Sequence, residues 1–165
     1  MNPTISKAVC PGSYDPVTFG HLDVISRAAE IFDEVVVGVV NLPIRKGSTL
    51  FTIDDRLAFV REAIAGLPNV SAEPFSNLVV DFAREQGARA IVKGLRTISD
   101  FGYEFEMNQL NRTQAPDIES VYLMASPKYS FLSSSGVREL ATFGGNIDEL
   151  VPAHVATRLK EALAR

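Results

Sequence analysis

The chain has 165 residues, 46% hydrophobic and 22% charged, with sixteen Lys and Arg against twenty Asp and Glu for a net charge of −4. This balance excludes a disordered chain and argues against a general nucleic-acid binder. Cys10 is the only cysteine, which excludes internal disulfides and zinc sites built from several cysteines. A single domain over residues 1–165 is expected at this length. No apolar run reaches the roughly 18–20 residues of a membrane span, and MNPTISKAVC lacks the apolar region of a signal peptide. With a lone thiol, these features lead to an expected cytoplasmic location, with neither membrane nor nucleic acid as partner.

The first apolar run, Ile5 to Cys10, reads as a strand. A loop with two prolines follows, then a helix with Leu22, Ile25, Ala28, Ala29 and Phe32 on one face. Val35 to Val40 is apolar throughout and mostly β-branched, as in a parallel strand buried on both sides. Thr52 caps a second helix that buries Leu57, Val60, Ile64 and Leu67. A strand at Asn69 to Ala72 leads to a helix starting at Ser76 and ended by Gly87. Ala90 to Val92 is the next strand. The helix after it, about Ser99 to Arg112, is expected to bury Phe101, Phe105 and Leu110. Val121 to Met124 is the fifth strand and Ser133 to Thr142 a helix. A last helix from about Asp148 stacks Val151, Val155, Leu159 and Leu163. Alternating strands and helices predict an α/β fold: a Rossmann-like, doubly wound, five-stranded parallel sheet with helices on both faces and a C-terminal helix.

In such a sheet, ligands bind beyond the carboxyl ends of the strands. The loops there are PGSYDPVTFG, NLPIRKGST, EPFSN, KGLRT and ASPKYSFLSS. With the helical starts that follow, they hold Arg45, Lys46, Lys93, Arg96, Lys128 and Arg138, six of the sixteen basic residues. Cations focused at one edge of an acidic chain suit an anionic ligand. In the first loop, Gly20 lets a ligand approach the backbone, and His21 sits in the first turn of a helix, beside free N–H groups and the positive end of the dipole. His154 has no such context and reads as structural. Ser133, Ser134 and Ser135 at another helix start offer an anion cradle, with Arg138 close behind; simple capping would need one serine. Asp15 is open between a base, a metal ligand and a turn former. No GxxxxGK(S/T) or GxGxxG is present, and no covalent nucleophile is evident. What remains is a site that binds phosphates and stabilises charge during transfer.

GSYDPVTFGH resembles the signature of the HxGH nucleotidyltransferases, with Thr18 in place of the first His. Together with KGLR and SFLSSSGVRE, in that order and spacing, it resembles the phosphopantetheine adenylyltransferase family of coenzyme A synthesis over essentially the whole chain. The resemblance implies adenylyl transfer from ATP to 4′-phosphopantetheine with Mg2+, giving dephospho-coenzyme A and pyrophosphate. It implies His21 as the catalytic residue at the α-phosphate. ATP would be met by Ser13, Tyr14, Gly94, Leu95, Arg96 and Glu104, and by Tyr129, Ser130, Phe131, Leu132, Ser133, Ser134 and Ser135. Phosphopantetheine would be met by Ser13, Val79 through its backbone, Lys93 and Lys46, with Arg45 the alternative register. No protein ligand for a metal is assigned. A homohexamer and feedback inhibition by coenzyme A are further implications. Two departures stand out: Lys93 where the family often has Arg, and a longer NLPIRKGSTLF loop. The rivals are a related enzyme acting on nicotinate mononucleotide or using CTP, and a non-catalytic ATP-binding module with no need of His21.

Overall fold

The apolar runs become five parallel strands in the order β3-β2-β1-β4-β5. A computed structural model describes residues 6–41 and 49–164. The strands are β1 (Lys7–Gly12), β2 (Glu34–Val40), β3 (Val70–Phe75), β4 (Ala90–Leu95) and β5 (Glu119–Met124). The helices are α1 (Phe19–Ile31), α2 (Ile53–Ala63), α3 (Val79–Glu85), α4 (Ile98–Gln114), α5 (Ser134–Thr142) and α6 (Ala153–Leu163), with a 3-10 turn at Pro127–Tyr129. Among the described residues no helix is long and apolar enough to cross a membrane.

Side chains alternate across the pleat, so each central strand feeds two cores. Ala8, Cys10, Val35, Val37, Val39 and Val92 pack on one face with Ile25 and Ala28 of α1, Leu57 and Val60 of α2, and Val155 and Leu159 of α6. Val9, Val36 and Ile91 pack on the other with Val80, Phe82 and Ala83 of α3. Burial on both faces is why VVVGVV carries no polar alternation. Its glycine has a packing reason: a Cβ at Gly38 would lie 2.6 Å from the Phe82 ring and 3.1 Å from that of Phe75, which stack together. Gly87 ends α3 in a left-handed conformation (φ 69°), as its placement predicts.

Several boundaries differ from the sequence reading. Strands β3 and β4 run on through Glu73–Phe75 and Lys93–Leu95, because parallel pairing continues past the apolar stretch. Helix α3 starts at Val79 rather than Ser76, and its N-cap, Leu78, makes no side-chain capping bond. Helix α2 stops at Ala63, leaving Leu67 in the following turn, where its N–H bonds to the Ile64 carbonyl. The last helix starts at Ala153 instead of Asp148, because Pro152 precedes it as cap and Ile147–Val151 form turns. The largest correction concerns α4, which buries none of its seventeen residues. Phe101 and Phe105 are each 56% exposed, Leu110 is 53% exposed and Ile98 is 91% exposed. Periodicity reveals that a helix has an apolar side, and says nothing of what covers it.

Candidate active site

The strand order reverses between β1 and β4, and the carboxyl ends of these neighbours diverge into separate loops. A cavity of about 350 Å³ opens there. Its floor is Cys10, Pro11 and Gly12 of β1 and Val92, Lys93 and Gly94 of β4. Tyr14, Thr18, Gly20, His21, Val24 and Ile25 form one wall; Arg96, Glu104, Ala125, Tyr129, Leu132, Ser133 and Ser134 complete it.

His21 is oriented by its own helix cap. Thr18 caps α1 by accepting the His21 N–H at 3.3 Å, and His21 Nδ1 accepts the Thr18 backbone N–H at 3.0 Å. Since Nδ1 accepts, the ring proton resides on Nε2. Burial, with Arg96 adding to it, lowers the imidazole pKa to about 4. The ring is therefore a neutral hydrogen-bond donor at physiological pH. Its edge contact with Tyr14, 4.9 Å between centroids, holds it from the other side.

The depressed pKa has a stability consequence with a definite sign. An unfolded imidazole takes up its proton near pH 6.5, whereas the folded one resists until about pH 4. Between these values the unfolded state binds more protons, so stability falls as pH falls, by up to about 1.4 kcal/mol per pH unit. Denaturant melts at pH 7 and pH 5 should show wild type losing about 1–2 kcal/mol more than His21→Ala. Equal losses would mean that the ring titrates normally.

The loop between β1 and α1 is clamped from several directions. Tyr14 adopts a left-handed backbone (φ 49°), and its hydroxyl donates to the Cys10 carbonyl at 2.9 Å. Burial pushes the phenol pKa well up, so it stays a donor. The Asp15 carboxylate is buried and accepts the backbone N–H groups of Leu50 (2.8 Å) and Phe51 (3.0 Å). Arg138 pairs with the same carboxylate at 3.0 Å and also donates to the Asp15 carbonyl. Asp15 is thus a brace between the loop, the start of α2 and α5. Arg138 is turned to it, not to the serine cradle expected from the sequence.

The opposite wall carries two ion pairs. Lys93 Nζ meets Glu104 at 2.9 Å, tying β4 to α4. Arg96 pairs with Asp100 at 3.3 Å and donates to the Leu132 carbonyl at 2.9 Å. The three serines divide their tasks. Ser133 caps α5 by accepting the Gly136 N–H, Ser134 donates to the Pro16 carbonyl at 2.8 Å, and Ser135 lies 3.3 Å from Ser133. Only part of the expected cradle is therefore made of free hydroxyls. His154 spans α6 and α2, with Nε2 3.1 Å from the Phe59 carbonyl, in keeping with a structural role.

Of the residues singled out in the sequence, Tyr14, His21, Lys93, Gly94, Arg96, Glu104, Tyr129, Leu132, Ser133 and Ser134 line one cavity. Ser13 is exposed beside Tyr14, and Leu95 is buried behind Gly94. Ser130 bonds back to Pro127, Phe131 faces a neighbouring cavity, and Ser135 stays at the rim. Val79 begins α3 beyond the end of β3, outside these walls. Lys46 and Arg45 lie outside the described residues. Sequence reasoning missed Val24 and Ile25, hidden as ordinary helix-core positions, and the orienting role of Thr18. Among the described residues no cluster of three or more His, Cys, Asp or Glu is placed to hold a metal ion.

The cytidylyltransferase-like family model matches residues 9–140. A phosphopantetheine adenylyltransferase of Symbiobacterium thermophilum is 54% identical, over 96% of this chain and 97% of its own. One from Herpetosiphon aurantiacus is 49% identical, over 94% and 93%. Another, from Deinococcus radiodurans, is 48% identical, over 96% and 94%. Among solved structures, a chain from Vibrio parahaemolyticus named as a candidate nicotinate-nucleotide adenylyltransferase superposes with a TM-score of 0.70 at 17% identity, over 97% of this chain and 95% of that one. At that identity the likeness speaks for the fold alone.

Proposed function

Because this chain belongs to the phosphopantetheine adenylyltransferases, within the cytidylyltransferase-like family, we infer how its site performs that reaction. The enzyme transfers the adenylyl group of ATP to 4′-phosphopantetheine and releases pyrophosphate and dephospho-coenzyme A. The observation that carries the mechanistic reading is His21, a neutral donor fixed at the mouth of the β1–β4 cleft.

A phosphate oxygen of phosphopantetheine attacks the α-phosphorus of ATP. The new oxygen–phosphorus bond forms as the bond to the β-phosphate oxygen breaks, and the electron pair leaves with pyrophosphate. No protein nucleophile takes part. His21 donates its Nε2–H to an α-phosphate oxygen as charge moves toward the leaving group, which is preorganised stabilisation. Tyr14, Gly94, Leu95, Arg96, Glu104 and the Tyr129–Ser135 segment hold ATP; Ser13 meets both substrates; Lys93, Lys46 and the backbone of Val79 hold phosphopantetheine. The placement of Tyr14, Gly94, Arg96 and Glu104 around one cavity supports the ATP part.

Magnesium would be brought to the site with ATP. Among the described residues Glu104 is the one carboxylate lining the cavity, and it is paired with Lys93, so the metal would be held chiefly through the triphosphate it accompanies. The metal's chemistry is to offset charge between two anionic reactants.

The whole chain acts as one domain, in the cytoplasm, and assembles as a homohexamer. The bare apolar side of α4, with Ile98, Phe101, Phe105 and Leu110, supports burial against another copy. Coenzyme A, which contains the pantetheine arm, is the feedback inhibitor.

Purified protein with ATP, magnesium and 4′-phosphopantetheine should form dephospho-coenzyme A and pyrophosphate. Inactivity toward this acceptor alongside brisk turnover of nicotinate mononucleotide would overturn the assignment. ATP binding without turnover of either would leave a binding module. Within the pocket, Lys93→Ala should weaken phosphopantetheine by about 1.5–3 kcal/mol and ATP by less. Losing Lys93 also strips the Glu104 carboxylate of its partner in an anion site. Calorimetry with each ligand checks the division; equal weakening of both would contradict it.

A further inference from the structure

Arg56 is a guanidinium in the hydrophobic core. It is 2% exposed, on the inner face of α2 beside Leu57 and Val60. Its Nη1 donates to the Ser13 carbonyl at 2.7 Å and to the Val40 carbonyl at 2.9 Å, while its buried Nε finds no partner among the described residues. Burial draws its pKa down, and the nearby Asp15 carboxylate opposes that. A buried cation with an orphaned N–H is an expensive way to fill a core, since apolar replacements of buried charges are often neutral or stabilising. Its value must lie in what it holds.

What it holds is the loop over the cavity. Ser13 and Tyr14 precede Asp15, whose carbonyl Arg138 grips from α5. Two guanidiniums thus fix two carbonyls on either side of the left-handed Tyr14. In a trans peptide the C=O and N–H point in opposite directions. A Ser13 carbonyl drawn into the core therefore turns the Tyr14 N–H away from Arg56, in a loop whose Tyr14 borders the cavity. Arg56 simultaneously anchors Val40, the last residue of β2.

We propose that Arg56 is a positioning residue of the adenylyl transfer, aiming the Tyr14 amide at the ATP phosphates by holding the Ser13 carbonyl from beneath. This rests on the function proposed above. The test uses the full-length protein as wild type, Arg56→Met, Arg56→Lys and a control on α6, Leu159→Ala, which loses core packing away from the cavity. Melting temperature, calorimetric ATP affinity, KM and kcat are measured for each. Arg56→Met should weaken ATP binding and raise its KM roughly 10- to 100-fold, the scale of one charge-assisted hydrogen bond. Arg56→Lys, whose ammonium can still reach one carbonyl, should recover most of that. Leu159→Ala should lower the melting temperature and leave ATP affinity within twofold. ATP affinities of both Arg56 variants within twofold of wild type would overturn the proposal, as would a loss no larger than that of Leu159→Ala. It also falls if neither Arg56 variant folds, for Arg56 is then a requirement of the fold. If wild type binds ATP but does not adenylylate phosphopantetheine, the functional assignment fails, while the ATP affinities still decide the role of Arg56.

Discussion

Replacing His21 with alanine is expected to lower kcat by roughly 10²–10³, the loss seen when one preorganised donor is removed, while ATP affinity changes far less. The reasoning starts at the cap of α1. Thr18 fixes Nδ1 as an acceptor, so Nε2 carries the one ring N–H, and the low pKa keeps it a neutral donor. A donor held in place before the reaction tightens on the α-phosphate only as charge accumulates, so its deletion appears in kcat more than in binding. The variant loses the Nδ1 half of a capping box, worth about 1 kcal/mol, so it should fold. Pyrophosphate release, calorimetry and a thermal melt on one preparation check all three expectations. Near wild-type kcat in the folded variant would falsify the role given to His21. The wild-type rate should also show no inflection at pH 6.5, since the ring titrates near pH 4.

Asp15→Ala should have the larger effect on stability. The carboxylate is buried and satisfies two backbone N–H groups and one guanidinium. Removing it leaves Leu50 N–H and Phe51 N–H without their acceptor and Arg138 without its counter-charge, held only by the main-chain carbonyl. Breaking a buried pair costs about 3–5 kcal/mol. The lower end is expected, because the Arg138 side chain is 35% exposed and can turn to water. Activity should fall too, as the loop carrying Tyr14 loses a tie to both α2 and α5. Asp15→Asn keeps the shape and one acceptor oxygen, so urea melts should place it between alanine and wild type. Wild-type stability in Asp15→Ala would return the residue to a simple turn former.

The parts of this molecule written in local chemistry can be read from its sequence. VVVGVV gives a two-face buried strand, Thr52 a cap, Gly87 a helix stop, and GSYDPVTFGH a helix start, which the structure places beside a cavity. The parts that depend on distant partners are not. Nothing near Arg138 tells that it will turn to Asp15, 123 positions away. Arg56 does leave a trace: it falls four residues before Val60 on the apolar stripe of α2, a charge where the period demands a core residue. The exposed side of α4 misleads for the opposite reason. Its aromatics have the spacing of a buried face, and the covering layer is not supplied by the described residues of one chain.

The same long ties set a timetable for the chain. The bond from Ser134 to Pro16 and the grip of Arg138 on Asp15 close segments 118 and 123 residues apart. Contacts so distant in sequence form late, since each must first overcome the entropy of a long closed loop. During refolding, then, the sheet and its inner helices can assemble while the loop between β1 and α1 still lacks its second anchor. Recovery of ATP binding should lag behind recovery of secondary structure, and a chain cut before α5 would hold much of its sheet with no fixed mouth to its cavity.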